Sequence, residues 1–369
     1  MANMPQKPGA PWSPDRPHQN LPPLPPEQDV ETHDVLKLLV ESRSALAAMD
    51  QAARRLPNPA VLLSTLTVLE AQASSEIENV VTTTDELFRH MDNDEGASPD
   101  VKEALRYRQG LFAGLDMARE RGTLTRVTVE TICTQLAGRS MTLRRGRGTI
   151  IANPRTRQAV YTPPEGYDIL DQKMSAWENY VNAPGAHDPL IRMALSHYQF
   201  EAIHPFDDGN GRTGRIINIL QLINDGLLTS PALYLSRYLI STKTDYYRLL
   251  REVTSEANFT DWIVYMLEGV RATAESTLRL IDRLQQLQAE VRTAMDSALP
   301  GGGPVALTEV LMSQPYTRIR HVAQGCGVTR QTASRWLSAL ADAGLLERAE
   351  AGREVLFLNQ AYMRTLAEA

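Results

Sequence analysis

The sequence predicts a mainly α protein: a helical body interrupted by one short β-hairpin, with a small separate module at its C-terminus. Three observations predict it. Apolar residues recur at helical spacing, as in Val61, Leu62, Thr65, Leu66 and Leu69 and again in Leu190, Ile191, Ala194, Leu195 and Tyr198. Capping residues followed by proline mark helix starts at Asn58-Pro59 and Asp188-Pro189. Strand character gathers between Arg144 and Gly166 and near the C-terminus.

Taken in order, residues 1–29 form a proline-rich arm, mobile or extended, because nine prolines in the first 26 positions leave little to build a core. Residues 30–120 form an N-terminal helical region. Its best-signalled helix starts at Pro59 and is expected to run through Ala73 and Ile77 to Val81; helix formers continue from Pro99 to Arg121. Residues 121–299 form a second helical domain. Within it, Thr149, Ile150 and Ile151 and then Ala159, Val160 and Tyr161 read as two strands joined by a turn at Asn153-Pro154, and Pro163-Pro164 end them. A helix from Pro189 to Ile203 follows, then one from Arg212 to Leu222 whose second half is apolar nearly all round and so belongs in a core. Gly301, Gly302 and Gly303 mark a linker. In residues 304–369, a helix from Thr317 to Gln324, a turn at 325–328, a second helix capped by Thr329, and a hairpin through Ala351-Gly352-Arg353 resemble a winged helix–turn–helix.

Composition bounds the class. At 43% hydrophobic and 22% charged residues, the chain has the balance of a globular protein with a sizeable core. A net charge of −6 argues against a chain-wide nucleic-acid surface, while six arginines against three acids between Tyr316 and Arg353 leave room for local DNA contact at 316–353. No apolar run approaches the ~20 residues of a membrane span, so no membrane partner is expected, and no signal-peptide pattern opens the chain. Cys133 and Cys326 fall in separate domains, so no disulfide is expected and a cytoplasmic location fits.

The chemistry concentrates in HPFDDGNGRTGR, from His204 to Arg215. Gly209 and Gly211 let the backbone approach a ligand, and the helix start they open offers amide donors to an anion. Arg212 and Arg215, three residues apart, can both fork phosphate oxygens around that helix end. Asp208 is a hard-oxygen donor for Mg²⁺. His204 is the one side chain here that accepts a proton near neutral pH. Singly each feature is commonplace; together they make a metal-assisted phosphate site with a base.

The segment resembles the Fic (Fido-domain) signature HPFx(D/E)GNGRxxR at every fixed position, and the likeness extends to YQFEAIHPF before it. That resemblance implies transfer of AMP from ATP to a Ser, Thr or Tyr hydroxyl of a target protein. It implies His204 as base, Asp208 on Mg²⁺, and ATP held by Gly209, Asn210, Gly211, Arg212, Thr213, Gly214 and Arg215, with Tyr247 beside the adenosine. The 144–166 hairpin resembles the family's flap, which pairs with the target backbone as an added strand. Ser74, Glu78 and Asn79 match the family's S/T-x-x-x-E-G/N inhibitory helix, which implies that Glu78 pairs with Arg215 and denies it to the γ-phosphate. Self-modification is a further expectation, and a homodimer is left open. Two alternatives stand beside this reading: a hydrolase that removes AMP from modified proteins, and a DNA-binding regulator whose Fic domain only senses nucleotide.

Overall fold

The computed structural model describes residues 12–56, 59–92, 94–153, 155–185, 187–351 and 354–368. The expected cap Asn58, the turn residue Pro154, the wing-tip residues Gly352 and Arg353 and the first eleven residues of the arm lie outside them. From Trp12 to Val30 the arm follows the surface. His18 N–H donates to Thr162 C=O at 2.9 Å, Thr162 Oγ1 donates to Pro14 C=O at 2.7 Å, and Gln199 Nε2 donates to Pro22 C=O at 3.1 Å.

The N-terminal region contains α1 (His33–Arg55), α2 (Pro59–Ile77), α3 (Thr84–His90) and α4 (Pro99–Arg121), followed by α5 (Arg126–Ala137). Caps set these limits. Thr83 and Glu86 close a reciprocal capping box on α3, and Ser98 caps α4, whose first residue is Pro99. α2 stops at Ile77, four residues short of the expected Val81. Val80 N–H returns to Ser75 C=O at 3.0 Å, and Asn79 takes left-handed backbone at φ 66°. This 6→1 return bond is the usual way a helix is closed by one left-handed residue, a conformation asparagine tolerates better than most. Glu78 therefore stands in the closing turn of α2, not on its regular part.

The hairpin is β1 (Ile151–Ala152) and β2 (Ala159–Tyr161), antiparallel with Ile151 opposite Tyr161 and an irregularity between Ile151 and Ala152. Thr149 and Ile150, expected as strand, precede it. Next come α6 (Tyr167–Val181), α7 (Pro189–Ile203), α8 (Asn210–Asn224), α9 (Leu235–Ser241), α10 (Lys243–Glu256) and α11 (Phe259–Ala298). Asp188 Oδ1 caps α7 through Leu190 N–H at 2.9 Å. α8 begins two residues before the expected Arg212, and its Ile216, Ile217, Ile219, Leu220 and Leu222 are all buried. α7 and α8 thus form the centre of the core, with α4, α5, α6 and α11 packed around them.

The terminal module holds α12 (Val305–Ser313), β3 (Tyr316–Arg318), α13 (Ile319–Gly325), α14 (Arg330–Asp342), β4 (Glu347–Ala351), β5 (Glu354–Leu358) and α15 (Gln360–Ala367). Its three strands are ordered β3-β5-β4. Thr317 and Arg318 belong to β3, where a helix was expected: Thr317 pairs with Phe357 and Arg318 with Leu356, long-range partners that local periodicity does not reveal. The basic face is also smaller than composition implied. Arg318 pairs with Asp92 and Arg348 with Asp342, while Arg330 and Arg335 stand exposed on α14. Cys133 and Cys326 are both free thiols, and no described helix is long and apolar enough to cross a membrane.

Candidate active site

The site is the turn from α7 into α8. His204 ends α7 in left-handed backbone, φ 50°, with its N–H on Phe200 C=O at 3.0 Å; Pro205 then bars further helix. Asn210 closes the loop. Its Oδ1 accepts from Phe206 N–H at 2.9 Å and its Nδ2 donates to Phe206 C=O at 2.8 Å. Both ends of this buried amide bond to the loop, so the Asn210 side chain shapes the turn. Gly209 supplies the second left-handed residue, φ 82°, and the first amides of α8 are left without intrahelical acceptors. Those amides and the helix dipole make an anion seat.

A carboxylate already sits at this seat. Arg215, 2% exposed, donates from Nε to Ser74 Oγ at 2.8 Å and from Nη2 to Ser74 C=O and to Glu78 Oε1, both at 2.9 Å. A side chain at Gly211 would collide with the same Glu78 oxygen, so the carboxylate lies directly against the start of α8. Burial works against the Arg215 charge, but the combined fields of Glu78, Tyr246, Glu201 and Tyr247 outweigh it and hold the guanidinium firmly protonated. Arg212 is nearly as buried and reaches Glu103 Oε1 at 2.5 Å, with Asp208 Oδ1 at 3.6 Å. Thr213 and Gly214 are internal: Thr213 N–H returns to Gly209 C=O at 3.0 Å, and a Cβ at Gly214 would lie 2.6 Å from Glu201 Oε1. They pack the helix start and do not face open space.

Asp208 is exposed, and its Oδ1 accepts from Gly209 N–H at 2.7 Å. Among the described residues no three His, Cys, Asp or Glu side chains cluster as a metal site. One outward carboxylate still fits Mg²⁺, which is commonly held by one or two carboxylates with phosphate oxygens and water completing its shell. The His204 imidazole is pushed down to about 4, by burial first and by Arg144 second, against the opposing pull of Glu78 and Asp208. It is therefore neutral near pH 7, the form that accepts a proton. Its Nδ1 has no hydrogen-bond partner among the described residues.

Beside this turn lies a cavity of about 640 Å³. The hairpin contributes Ile151, Ala152 and Val160, the end of α2 contributes Ile77, Glu78 and Asn79, and α10 contributes Lys243 and Tyr247. The structure thus brings Tyr247, Glu78 and the hairpin to one opening. His204 and Asp208 do not line it.

Four residues escaped the sequence reading. Glu201 lies in the segment preceding His204, with an unpartnered Oε1; burial pushes its carboxyl up to about 7, with Arg215 opposing and Glu78 adding to the shift. Its only signal was a charge on an otherwise buried helix. Arg144 opens the hairpin segment and is 2% exposed, donating to His204 C=O at 2.8 Å. Glu103, partner of Arg212, gave no local signal. Glu70, one turn before Ser74 on α2, is buried and bonded to Tyr107 OH at 3.0 Å and Ser236 N–H at 2.9 Å.

Comparison with known proteins fits this geometry. The profile described as Fic/DOC family N-terminal matches residues 36–116, the Fic/DOC family profile matches 124–222, and that of the C-terminal domain of SoFic-like protein adenylyltransferases matches 287–362. Protein adenylyltransferase fic-1 of Caenorhabditis briggsae is 35% identical over 92 residues, 24% of this chain and 17% of that protein. Protein adenylyltransferase Fic of Nematostella vectensis is 32% identical over 124 residues, 33% of this chain and 26% of that protein. The chain thus spans about a quarter or less of the length of these relatives. A crystal structure of a Fic family protein from Desulfovibrio desulfuricans G20 superposes with a TM-score of 0.57 at 20% identity, covering 92% of this chain and 98% of that one. Fic-1 from C. elegans gives 0.50 at 17%, covering 69% and 74%. At these identities the structures speak for the fold, and with the three matched profiles they lead to one conclusion: the chain belongs to the Fic/DOC family.

Proposed function

We propose that this chain is a protein adenylyltransferase held in an inhibited state by its own Glu78. The observation that carries the reading is the Glu78 carboxylate bonded to Arg215 at the N-terminus of α8. A carboxylate and a terminal phosphate compete for the same guanidinium fork. With Glu78 in place, ATP can enter but its γ-phosphate has no seat, and misplacing the α-phosphorus by even ~1 Å can cost ~10²-fold in rate.

Once Glu78 withdraws, Arg215 would take the γ-phosphate, Arg212 the β-phosphate and the α8 amides their oxygens. Tyr247 and the apolar wall of the cavity would receive the adenosine. Mg²⁺ held by Asp208 would neutralise phosphate charge. A target backbone laid along the hairpin as an extra strand would present its hydroxyl to His204. The imidazole takes the hydroxyl proton while the oxygen attacks the α-phosphorus. The bond from that phosphorus to the pyrophosphate oxygen breaks, leaving AMP on the target.

The test uses ATP labelled at either the α- or the γ-phosphorus, with Mg²⁺, on the wild-type chain and Glu78→Gly. Covalent label should come from the α position alone and rise at least tenfold in Glu78→Gly. His204→Ala in that background should bind ATP and transfer nothing. Equal labelling of wild type and Glu78→Gly would refute the inhibitory contact, and label arriving from the γ position would refute adenylyl transfer.

A further inference from the structure

We infer that Arg144 is a positioning residue for the transfer reaction: its guanidinium locks the base of the hairpin to the backbone of His204, so that the target-docking strand and the proton acceptor are held in one frame. The inference rests on the adenylyltransferase reading and adds to it a residue outside the signature motif.

The geometry is specific. Arg144 Nε donates to His204 C=O at 2.8 Å, and Nη2 donates to Pro164 C=O at 2.5 Å and Ile203 C=O at 3.4 Å. The Arg144 main-chain N–H donates to Pro205 C=O at 2.9 Å. One residue therefore grips three consecutive carbonyls, 203 to 205. Two of them, those of Ile203 and His204, are the unsatisfied acceptors that any helix leaves at its C-terminus. A cation at that end also meets the negative pole of the helix dipole. His204 needs such support, because left-handed backbone is costly for a residue with a side chain.

The fourth carbonyl belongs to the other party. Pro164 stands just after the hairpin, and Arg144 stands before it, so the Arg144–Pro164 bond closes the hairpin loop at its root. Tyr161 OH reinforces the junction by donating to Ala202 C=O at 2.7 Å. At 2% exposure Arg144 is withdrawn from solvent. Its planar fork spans Pro164 and the helix end together, a reach that a lysine ammonium can only partly copy.

The test uses the full chain in the Glu78→Gly background, with self-labelling from α-labelled ATP as the readout. Arg144→Met should lower the rate at saturating ATP on the order of 10²-fold, the scale of an ångström-level misplacement, while the KM for ATP stays within about twofold. Arg144→Lys should fall between Met and parent. Unchanged rates in Arg144→Met would overturn the inference. So would a loss in both variants that raises the KM for ATP or abolishes cooperative melting, since that marks a general structural role. A Glu78→Gly parent that takes no label overturns the functional reading itself, and the role of Arg144 with it.

Discussion

In the proposed reaction His204 would meet two demands that pull against each other: it must sit far enough out of solvent to be oriented, and it must still take a proton. Burial and the neighbouring Arg144 settle this by keeping the imidazole neutral, pushed down to about 4, with Glu78 and Asp208 acting in the other direction and Glu201 adjacent through its backbone. The sign follows directly. A histidine whose folded value lies below its unfolded value of about 6.5 is neutral above the lower value, and acid favours unfolding as pH falls from 6.5 toward 4. In Glu78→Gly the acid limb of kcat/KM should therefore fall at or below about pH 4, because the lost carboxylate was holding the value up, with folding checked by circular dichroism at each pH. A limb centred near 6.5 would mean that the base titrates as a solvated imidazole. The identity of His204 could be read from its motif and that of Glu78 from its helix pattern, whereas Arg144 gave no such signal. Arg144 is sixty residues away and Glu78 further still, and only the fold brings them to the same turn.

At the scale of elements, the closing turn of α2 decides where Glu78 points. The 6→1 bond from Val80 to Ser75 requires Asn79 in left-handed backbone, and Asn79 Oδ1 also accepts from Lys243 Nζ at 3.3 Å. A β-branched residue there costs about 1–2 kcal/mol more than glycine. Asn79→Val should therefore lower the thermal midpoint and raise basal AMP transfer several-fold, whereas Asn79→Gly should keep transfer at the wild-type level; label incorporation at matched ATP checks both. Equal transfer by the two variants would separate the turn from the brake. The same turn shows what the sequence could and could not convey. Apolar spacing identified α2 and α7, and an apolar second half identified α8, because each buries a stripe or more of its surface, whereas α4 was read from its run of helix formers. Spacing carried the α2 pattern past its end, because Val80 and Val81 continue the apolar rhythm after the backbone has turned. β3, with three residues paired only to β5, has no local pattern at all.

In the whole molecule, α2 joins the turn between α7 and α8 to the C-terminal module. Its C-terminal turn holds Arg215, and its first half receives the terminal module: Ser64 Oγ donates to Ser313 C=O at 2.8 Å, and Thr65 Oγ1 and Tyr362 OH bond at 2.8 Å in a buried contact. Just beyond α2, Arg318 of the module pairs with Asp92 at 3.0 Å and donates to Arg89 C=O at 2.9 Å, while Tyr316 OH reaches Asp85 at 2.5 Å. The Arg318 guanidinium is 6% exposed, and Asp92 is pulled down to about 2 by His321, Gln314 and Arg318 against burial. Cutting one partner from a buried pair strands the other, at a cost of about 3–5 kcal/mol when burial is complete and less here, where Asp92 is partly exposed and keeps His321 and Gln314. Arg318→Ala should therefore lower the thermal midpoint by several degrees. The module also bonds α2 at Ser64 and Thr65, and a loosening carried along α2 to Glu78 would raise basal AMP transfer in Arg318→Ala as well. The decisive comparison is the double variant Glu78→Gly, Arg318→Ala. On the proposed inhibition by Glu78, its removal leaves the loosened module no brake to release, and the double variant should transfer AMP no faster than Glu78→Gly alone. Additive increases would show instead that the module acts on the catalytic turn by a route that bypasses α2.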